Sequence, residues 1–185
     1  AAGDSWSCAL TSTGAVYCWG NRYVTGMNTG TPVLIAGVSN VTQISGHGSF
    51  ICALSSGNVF CWGANGAGQV GNHSTDGTRT PTMVLAGVSQ LGVGHDHACA
   101  IKTDGTVWCW GANYQGQVGD GSYGDAHVPK QVAISGMATS ISAGSSHSCA
   151  VTTTGTYCWG GDIFGELGIG VSDWLTPRAV NLPCD

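Results

Sequence analysis

Nine cysteines dominate the reactive side chains of this 185-residue chain, and eight of them fall into pairs. Cys8 and Cys18, Cys52 and Cys61, Cys99 and Cys109, and Cys149 and Cys158 are spaced by 10, 9, 10 and 9 residues. Paired cysteines can form disulfides, ligate a metal as thiolates or supply a nucleophile. No pair has the close CxxC spacing of the usual structural zinc sites, which disfavours the second use. Disulfides are the expectation for all eight, with four pairs of buried reduced thiols as the alternative. Cys184 stands outside the pattern. An odd cysteine in an oxidised protein is expected to bond between molecules or to a further segment.

The remaining chemistry is sparse. His95-Asp96-His97 is the one stretch of metal-like composition, and in a strand its two histidines would share a face. Two such ligands make a weak set, so no metal is expected. His97 and His147 each stand two residues before a pair's first cysteine, where Trp6 and Phe50 stand before the other two. A position that takes either an aromatic ring or His argues for packing with a hydrogen bond. Asp120 and Asp125 bracket a Gly-rich loop with two carboxylates, short of the roughly six to eight oxygens that Ca²⁺ takes. A solvated turn is expected there, and Asp76 and Asp173 are read in the same way. Glu166 is the only glutamate, and neither a Gly-x-Ser-x-Gly nor a His-Glu-x-x-His motif is present. General acid–base chemistry has no evident pair of groups, so the chain is read as non-enzymatic and without a cofactor. Asn40-Val-Thr42 and Asn72-His-Ser74 fit the N-glycosylation acceptor pattern, on what should be surface connections.

The elements that must position these residues recur. The stretch CALTSTGAVYCWG from Cys8 returns as CALSSGNVFCWG from Cys52, CAIKTDGTVWCWG from Cys99 and CAVTTTGTYCWG from Cys149, at offsets of 44, 47 and 50 residues. A period of this size marks a repeat architecture whose units must stack to bury their apolar faces. Each copy is an apolar run, a polar turn ending in Gly, and an apolar-aromatic run, which predicts a β-hairpin. Folding the first copy about its turn sets Leu10 opposite Val16 and Cys8 opposite Cys18, and the other copies behave alike. Directly opposed residues have Cβ atoms about 4.5–5.5 Å apart, close to what a disulfide spans. One staple per hairpin is therefore preferred among the roughly one hundred pairings that eight cysteines allow.

A further apolar strand precedes the hairpin in the later copies, at Val41–Gly46, Leu91–Gly94 and Ala138–Gly144, and is missing from the first. Glycine-rich connectors follow the hairpin, WGANGAGQVGNH from Trp62, WGANYQGQVGDG from Trp110 and WGGDIFGELGIG from Trp159, and then Thr-Pro or Val-Pro opens another strand. Each unit thus holds about four short strands, the content of one propeller blade. The repeats run approximately over 1–37, 38–87, 88–136 and 137–185 of one domain, 1–185, offset by one strand and open at both ends.

Composition narrows the function classes. Only 8% of residues are charged, the net charge is −5, and five Lys and Arg are scattered along the chain, so nucleic acid is not an expected partner. No apolar run approaches the roughly 20 residues of a membrane span. Few charges with many Cys, Ser, Thr and Gly suit an extracellular or cell-surface setting, and the opening AAGDS without an initiator Met fits a processed chain.

These residues together carry a likeness. The pattern SxGxxHSCALxxxGxVxCWGxNxxGQxGxG followed by TPxxV resembles the regulator-of-chromosome-condensation repeat family, in a cysteine-bearing form, over essentially the whole chain. The resemblance implies an all-β propeller, usually of about seven blades in that family. Four repeats then imply a small closed ring, a partial propeller or a ring completed by a second copy. It also implies a binding role. The eponymous member is a guanine-nucleotide exchange factor for a nuclear GTPase, which suits this acidic, cysteine-paired chain poorly. Another member is a secreted bacterial inhibitor that grips β-lactamases. The expected role is an extracellular scaffold engaging a protein partner, or other copies of itself, through propeller loops, with a carbohydrate-binding lectin as the alternative and an exchange factor more distant. Trp19, Trp62, Trp110 and Trp159 should pack between blades. Tyr23, Tyr114, Tyr123 and Trp174, in connectors and loops, are the candidate binding anchors.

Overall fold

The computed structural model describes residues 1–170 and 172–181. The expectation for Cys184 concerns a position outside the described residues. Among the described residues fifteen strands form four antiparallel sheets. The first sheet is β1 (Trp6–Leu10), β2 (Val16–Gly20) and β3 (Thr29–Leu34), with a one-turn helix α1 (Arg22–Thr25) between the last two. The second is β4 (Val41–His47), β5 (Phe50–Ser55), β6 (Asn58–Gly63) and β7 (Thr78–Ala86). The third is β8 (Val88–Val93), β9 (His97–Lys102), β10 (Val107–Gly111) and β11 (Ala126–Val132). The fourth is β12 (Ala138–Ala143), β13 (His147–Thr152), β14 (Gly155–Gly160) and β15 (Trp174–Ala179). These are propeller blades in up-and-down order. Among the described residues the first blade has three strands, matching the outer three of the others, and Ala1 and Ala2 lie beside it, bonding to Cys8 and bridging to Ser7.

Every hairpin folds in the register that the cysteine spacing requires. Cys8 faces Cys18, Cys52 faces Cys61, Cys99 faces Cys109 and Cys149 faces Cys158. Each pair is a disulfide, with its Cα atoms 4.1 Å apart. That separation belongs to the narrower, non-hydrogen-bonded kind of antiparallel site. The nine- and ten-residue spacings both work because the turn absorbs the difference. In the second blade Ser56 and Gly57 both take positive φ, 49° and 77°, as a two-residue turn between twisted strands requires.

The third strand of each blade carries a bulge between its cysteine and the glycine two residues later, and the residue skipped by the pairing is Trp19, Trp62, Trp110 or Trp159. A bulge re-aims its side chain, here toward the preceding blade. Trp62 Nε1 donates to Val24 O, Trp110 Nε1 to Gln69 O and Trp159 Nε1 to Gln117 O, each at 3.0 Å. Those three indoles are fully buried, whereas Trp19, at the first blade, is half-buried. The connector motif follows from this contact. A Cβ on Gly71 would lie 2.8 Å from the Trp110 ring, and one on Gly119 would lie 2.6 Å from Trp159 Nε1.

Nearer the centre, side chains of one innermost strand bond to the backbone of the next. Gln43 brackets Leu91 through Nε2 to O (2.7 Å) and N to Oε1 (3.1 Å), and Ile141 N donates to Gln90 Oε1 at 2.8 Å. His97 is buried between the third and fourth blades. Gln117 O accepts from both Trp159 Nε1 and Ser148 Oγ, so the Ser148 hydroxyl is left to accept from His97 Nε2 at 2.9 Å. The ring is thereby a neutral Nε2–H tautomer whose buried Nδ1 has no protein partner. Burial, helped by the neighbouring His147 charge, pushes its pKa down to about 3.

Three outcomes follow. Non-reducing peptide mapping should return the four intra-hairpin bonds, and opening any one should cost about 2–3 kcal/mol, since each closes a loop of about ten residues. Trp110→Ala should destabilise by about 3–5 kcal/mol in denaturant melts, as expected for deleting a buried aromatic. His97 binds a proton readily only when unfolded, so it favours the folded state above pH 6.5 and this contribution is lost as pH falls toward 3. Within that window stability should fall by up to about 1.4 kcal/mol per pH unit from this group, and H97F, with the ring that Phe50 supplies at the same repeat position, should flatten the slope.

Candidate functional site: the connector end of the blades

Antiparallel order sorts the loops by end. The turns from innermost to second strand and the connectors from third to fourth strand share one end of each blade, and the cysteine hairpin turns lie at the other. The described connectors are built on a buried polar side chain rather than on apolar packing. Asn65 accepts from Val70 N at 2.8 Å and donates from Nδ2 to Asn72 Oδ1, Ser74 O and Asp76 O. Asn113 repeats this toward Val118 N, Asp120 Oδ1, Ser122 O and Gly124 O. In the fourth blade Asp162 takes the position and accepts from Leu167 N at 2.8 Å. The loop aspartates serve the same frame. Asp120 Oδ1 accepts from Ser122 N, Asp125 Oδ1 from Asn113 N and Asp173 Oδ1 from Asp162 N.

With the frame so fixed, the connector tips project outward. The residue after the buried Asn or Asp is Gly66, Tyr114 and Ile163 in successive blades, followed by Ala67, Gln115 and Phe164. Tyr114 is 61% exposed, Ile163 62% and Phe164 92%. The pair Ile163-Phe164 was absent from the candidate anchors, although its position beside the recurring connector frame could have revealed it. Tyr123 is exposed in the loop after the third connector, and Tyr23 is exposed on α1. Trp174 is placed differently from the expectation. It lies at the start of β15 opposite Gly160, half-buried, with the Arg178 guanidinium 4.1 Å from its ring centre. The Gly160 bulge draws the chain into the sheet there, so Trp174 is a strand residue rather than a loop tip.

Asn40 is exposed in the turn before β4, at φ 52°. Asn72 is half-buried, with its Oδ1 accepting from Asn65 Nδ2 and Ser74 N, because it is part of the connector frame. A cavity of about 470 Å³ opens in the first blade, lined by Ser5, Gly20, Asn21, Asn28, Thr29 and Gly30. Its lining has no aromatic ring on which a sugar could stack.

The histidines separate. His95 and His97 do not share a surface, because the hairpin begins at His97 and turns it into the core while His95 stays in the turn outside. His95 instead meets residues far away in sequence. Its Nδ1 lies 2.7 Å from Asp96 Oδ2, its Nε2 lies 3.6 Å from Asp4 Oδ2, and its ring centre is 5.4 Å from that of His47. Asp96, through its hydrogen bond and charge, and then Asp4 hold the His95 pKa above its ordinary value against partial burial. His47 escaped the sequence reading. It stands five residues before its cysteine, where the other copies have Gly3, Gly94 and Gly144, and that departure was its one signal.

Among the described residues no helix is long and apolar enough to cross a membrane. Models of the regulator of chromosome condensation (RCC1) repeat match residues 56–101 and 104–151, and a second model of the same repeat matches 1–21, 88–117 and 138–166. Over 114 residues the chain is 30% identical to the E3 ubiquitin-protein ligase HERC2 of Homo sapiens, covering 55% of this chain and 2% of that protein. The crystal structure of human WBSCR16 superposes with a TM-score of 0.84 at 26% identity, over 98% of this chain and 52% of the other. Prp20p from Saccharomyces cerevisiae, studied for its binding to Gsp1p and histones, superposes at 0.83 with 22% identity, over 97% and 49%. The chain therefore spans about half the length of these propellers and a small fraction of the ligase. Matched over half its length by the repeat model and folded over its described residues as four successive blades, the chain belongs to the regulator of chromosome condensation repeat family.

Proposed function

We propose that the chain is a non-catalytic, extracellular protein-binding propeller segment that engages its partner with the connector end of its blades. The observation that carries this reading is the set of exposed side chains on a rigid frame. Tyr114 and Ile163-Phe164 project from connectors whose backbone is tied by buried Asn113 and Asp162. Aromatic residues held rigidly at low entropic cost are what protein interfaces use as anchors. The likeness to Prp20p, which binds Gsp1p and histones and is bound by Kap60, supports a protein as partner. The four disulfides support an oxidising, extracellular compartment. The likeness to the ectodomain of the Physcomitrella patens receptor kinase CR4, at a TM-score of 0.62 and 24% identity, is in keeping with that compartment. Self-association through the same exposed connector tips belongs to this reading.

The test compares the disulfide-intact chain with a Y114A/F164A variant in affinity capture from its native source, beside a glycan array. Both proteins should melt alike, because the two side chains are exposed. Wild type should retain a saturable protein partner that the variant binds at least about tenfold more weakly, a loss of about 1.4 kcal/mol. Glycan binding that accounts for all retention, or protein binding indifferent to both substitutions, would overturn the proposal.

A further inference from the structure

At the same end, nearer the centre, three turns from three successive blades bring together two imidazoles and a carboxylate. The ligand-type atoms of Asp4, His47 and His95 all lie within 4.8 Å of one another. Hydrogen bonds pin the first of these turns to the second, and the third to the turn of the fourth blade. Asp4 N donates to Gly48 O at 3.0 Å, Trp6 Nε1 donates to the same carbonyl at 2.9 Å, and His95 N donates to Gly144 O at 3.3 Å. Asp4 and His95 occupy the same repeat position, four residues before a cysteine, in the first and third blades. The second blade has Gly48 there, packed so closely that a Cβ would lie 2.5 Å from His95 O. With no side chain between them, Asp4 Oδ2 and His95 Nε2 come to 3.6 Å. His47 then supplies the second imidazole from the adjoining position.

The protonation pattern is set from behind. His95 Nδ1 is engaged by Asp96 Oδ2 at 2.7 Å, and Asp96 Oδ1 is itself held by Gln69 Nε2 at 3.0 Å, from the preceding blade's connector. A carboxylate on the rear nitrogen of a ligating imidazole fixes the tautomer, orients the ring and leaves Nε2 free to coordinate. All three side chains are reached by solvent, so an ion has an entry path. In a tetrahedral site with bonds of about 2.0–2.2 Å, ligand atoms stand roughly 3.3 Å apart, which the 3.6 Å pair nearly meets, and the third group lies within 4.8 Å of both.

We propose that Asp4, His47 and His95 form a divalent-metal site of the zinc class, with Asp96 orienting His95 and a coordination position left open to solvent. Two imidazole nitrogens and one carboxylate suit Zn²⁺, Co²⁺ or Ni²⁺, whereas Ca²⁺ and Mg²⁺ take oxygen donors. An ion here would clamp the turns of three blades, joining residues 4, 47 and 95 across the propeller's inner rim.

The experiment is calorimetric titration of ZnCl₂ into the untagged, disulfide-intact chain. One Zn²⁺ should bind per chain, undisplaced by excess Mg²⁺ or Ca²⁺, and Co²⁺ should give the visible absorption of a low-symmetry site. H47G installs the residue that the other three copies carry, and H95S the residue at Ser145, so both backbones are accommodated. Each should weaken zinc binding by more than the roughly 10- to 100-fold expected of D96N, which removes only the orienting group. Imidazole NMR of the wild-type chain gives a measure independent of any variant, and zinc should shift His47 and His95 first. No stoichiometric uptake, or first shifts at His73, His127 or His147, would leave His95 as a plain ion-pair partner of Asp4 and Asp96 and overturn the site.

Discussion

An indole N–H reaching across to a backbone carbonyl of the preceding blade is the contact on which the rest of this structure depends. Trp62, Trp110 and Trp159 make it at one common distance, and each is buried completely in doing so. Burying a large ring supplies the apolar gain, while the hydrogen bond satisfies the one polar atom that burial would otherwise strand. The demands then spread outward. The third strand must bulge to aim the ring, the connector must present a carbonyl at Gln69 or Gln117, and the following glycine must stay bare to admit the indole edge. The WG and GQVG motifs are two halves of one joint, written in neighbouring repeats.

Disulfides and joints divide the work between levels. The cysteine pairs act inside a hairpin, where the narrow antiparallel site already holds the two Cα atoms at 4.1 Å. They do nothing to connect blades. Between blades the links are the indoles, the Gln43 and Gln90 side chains on neighbouring innermost strands, and the His97–Ser148–Gln117 chain. A chain with few charges can still be rigid because its polar side chains cap backbone groups as well as bonding to one another. Asn65 and Asn113 show the economy of this, each tying a whole connector from one buried amide.

That rigidity bears on function. Loop residues bind well when their positions do not have to be ordered on association. Tyr114, Ile163 and Phe164 stand on connectors pinned at their base, and the Asp4–His47–His95 cluster stands on turns that are each bonded to a turn of a neighbouring blade. Both lie at the same end of the blades, as antiparallel order demands, and Gln69 on the second blade's connector holds Asp96 behind His95.

Much of the blade was legible in the residues themselves. Cysteine spacing, the Gly-ended turns and the recurrence of CWG sufficed for the hairpins, their register, the four intra-blade disulfides and the three described strands of the first blade, because these are local relations governed by the period of a strand. The burial of Trp62, Trp110 and Trp159 was legible for the same reason. Trp174 was not, since it lies in a segment where only pairing with Gly160 decides strand from loop. His95 and His97 were adjacent in pattern but are parted by the start of a hairpin, one to the surface and one to the core. His47 and Asp4 join His95 only because blades stack with their turns in register. No spacing along the chain encodes a distance of 3.6 Å between residues 4 and 95. Sequence determined the unit by local periodicity, and the packing of one unit on the next decided which side chains meet.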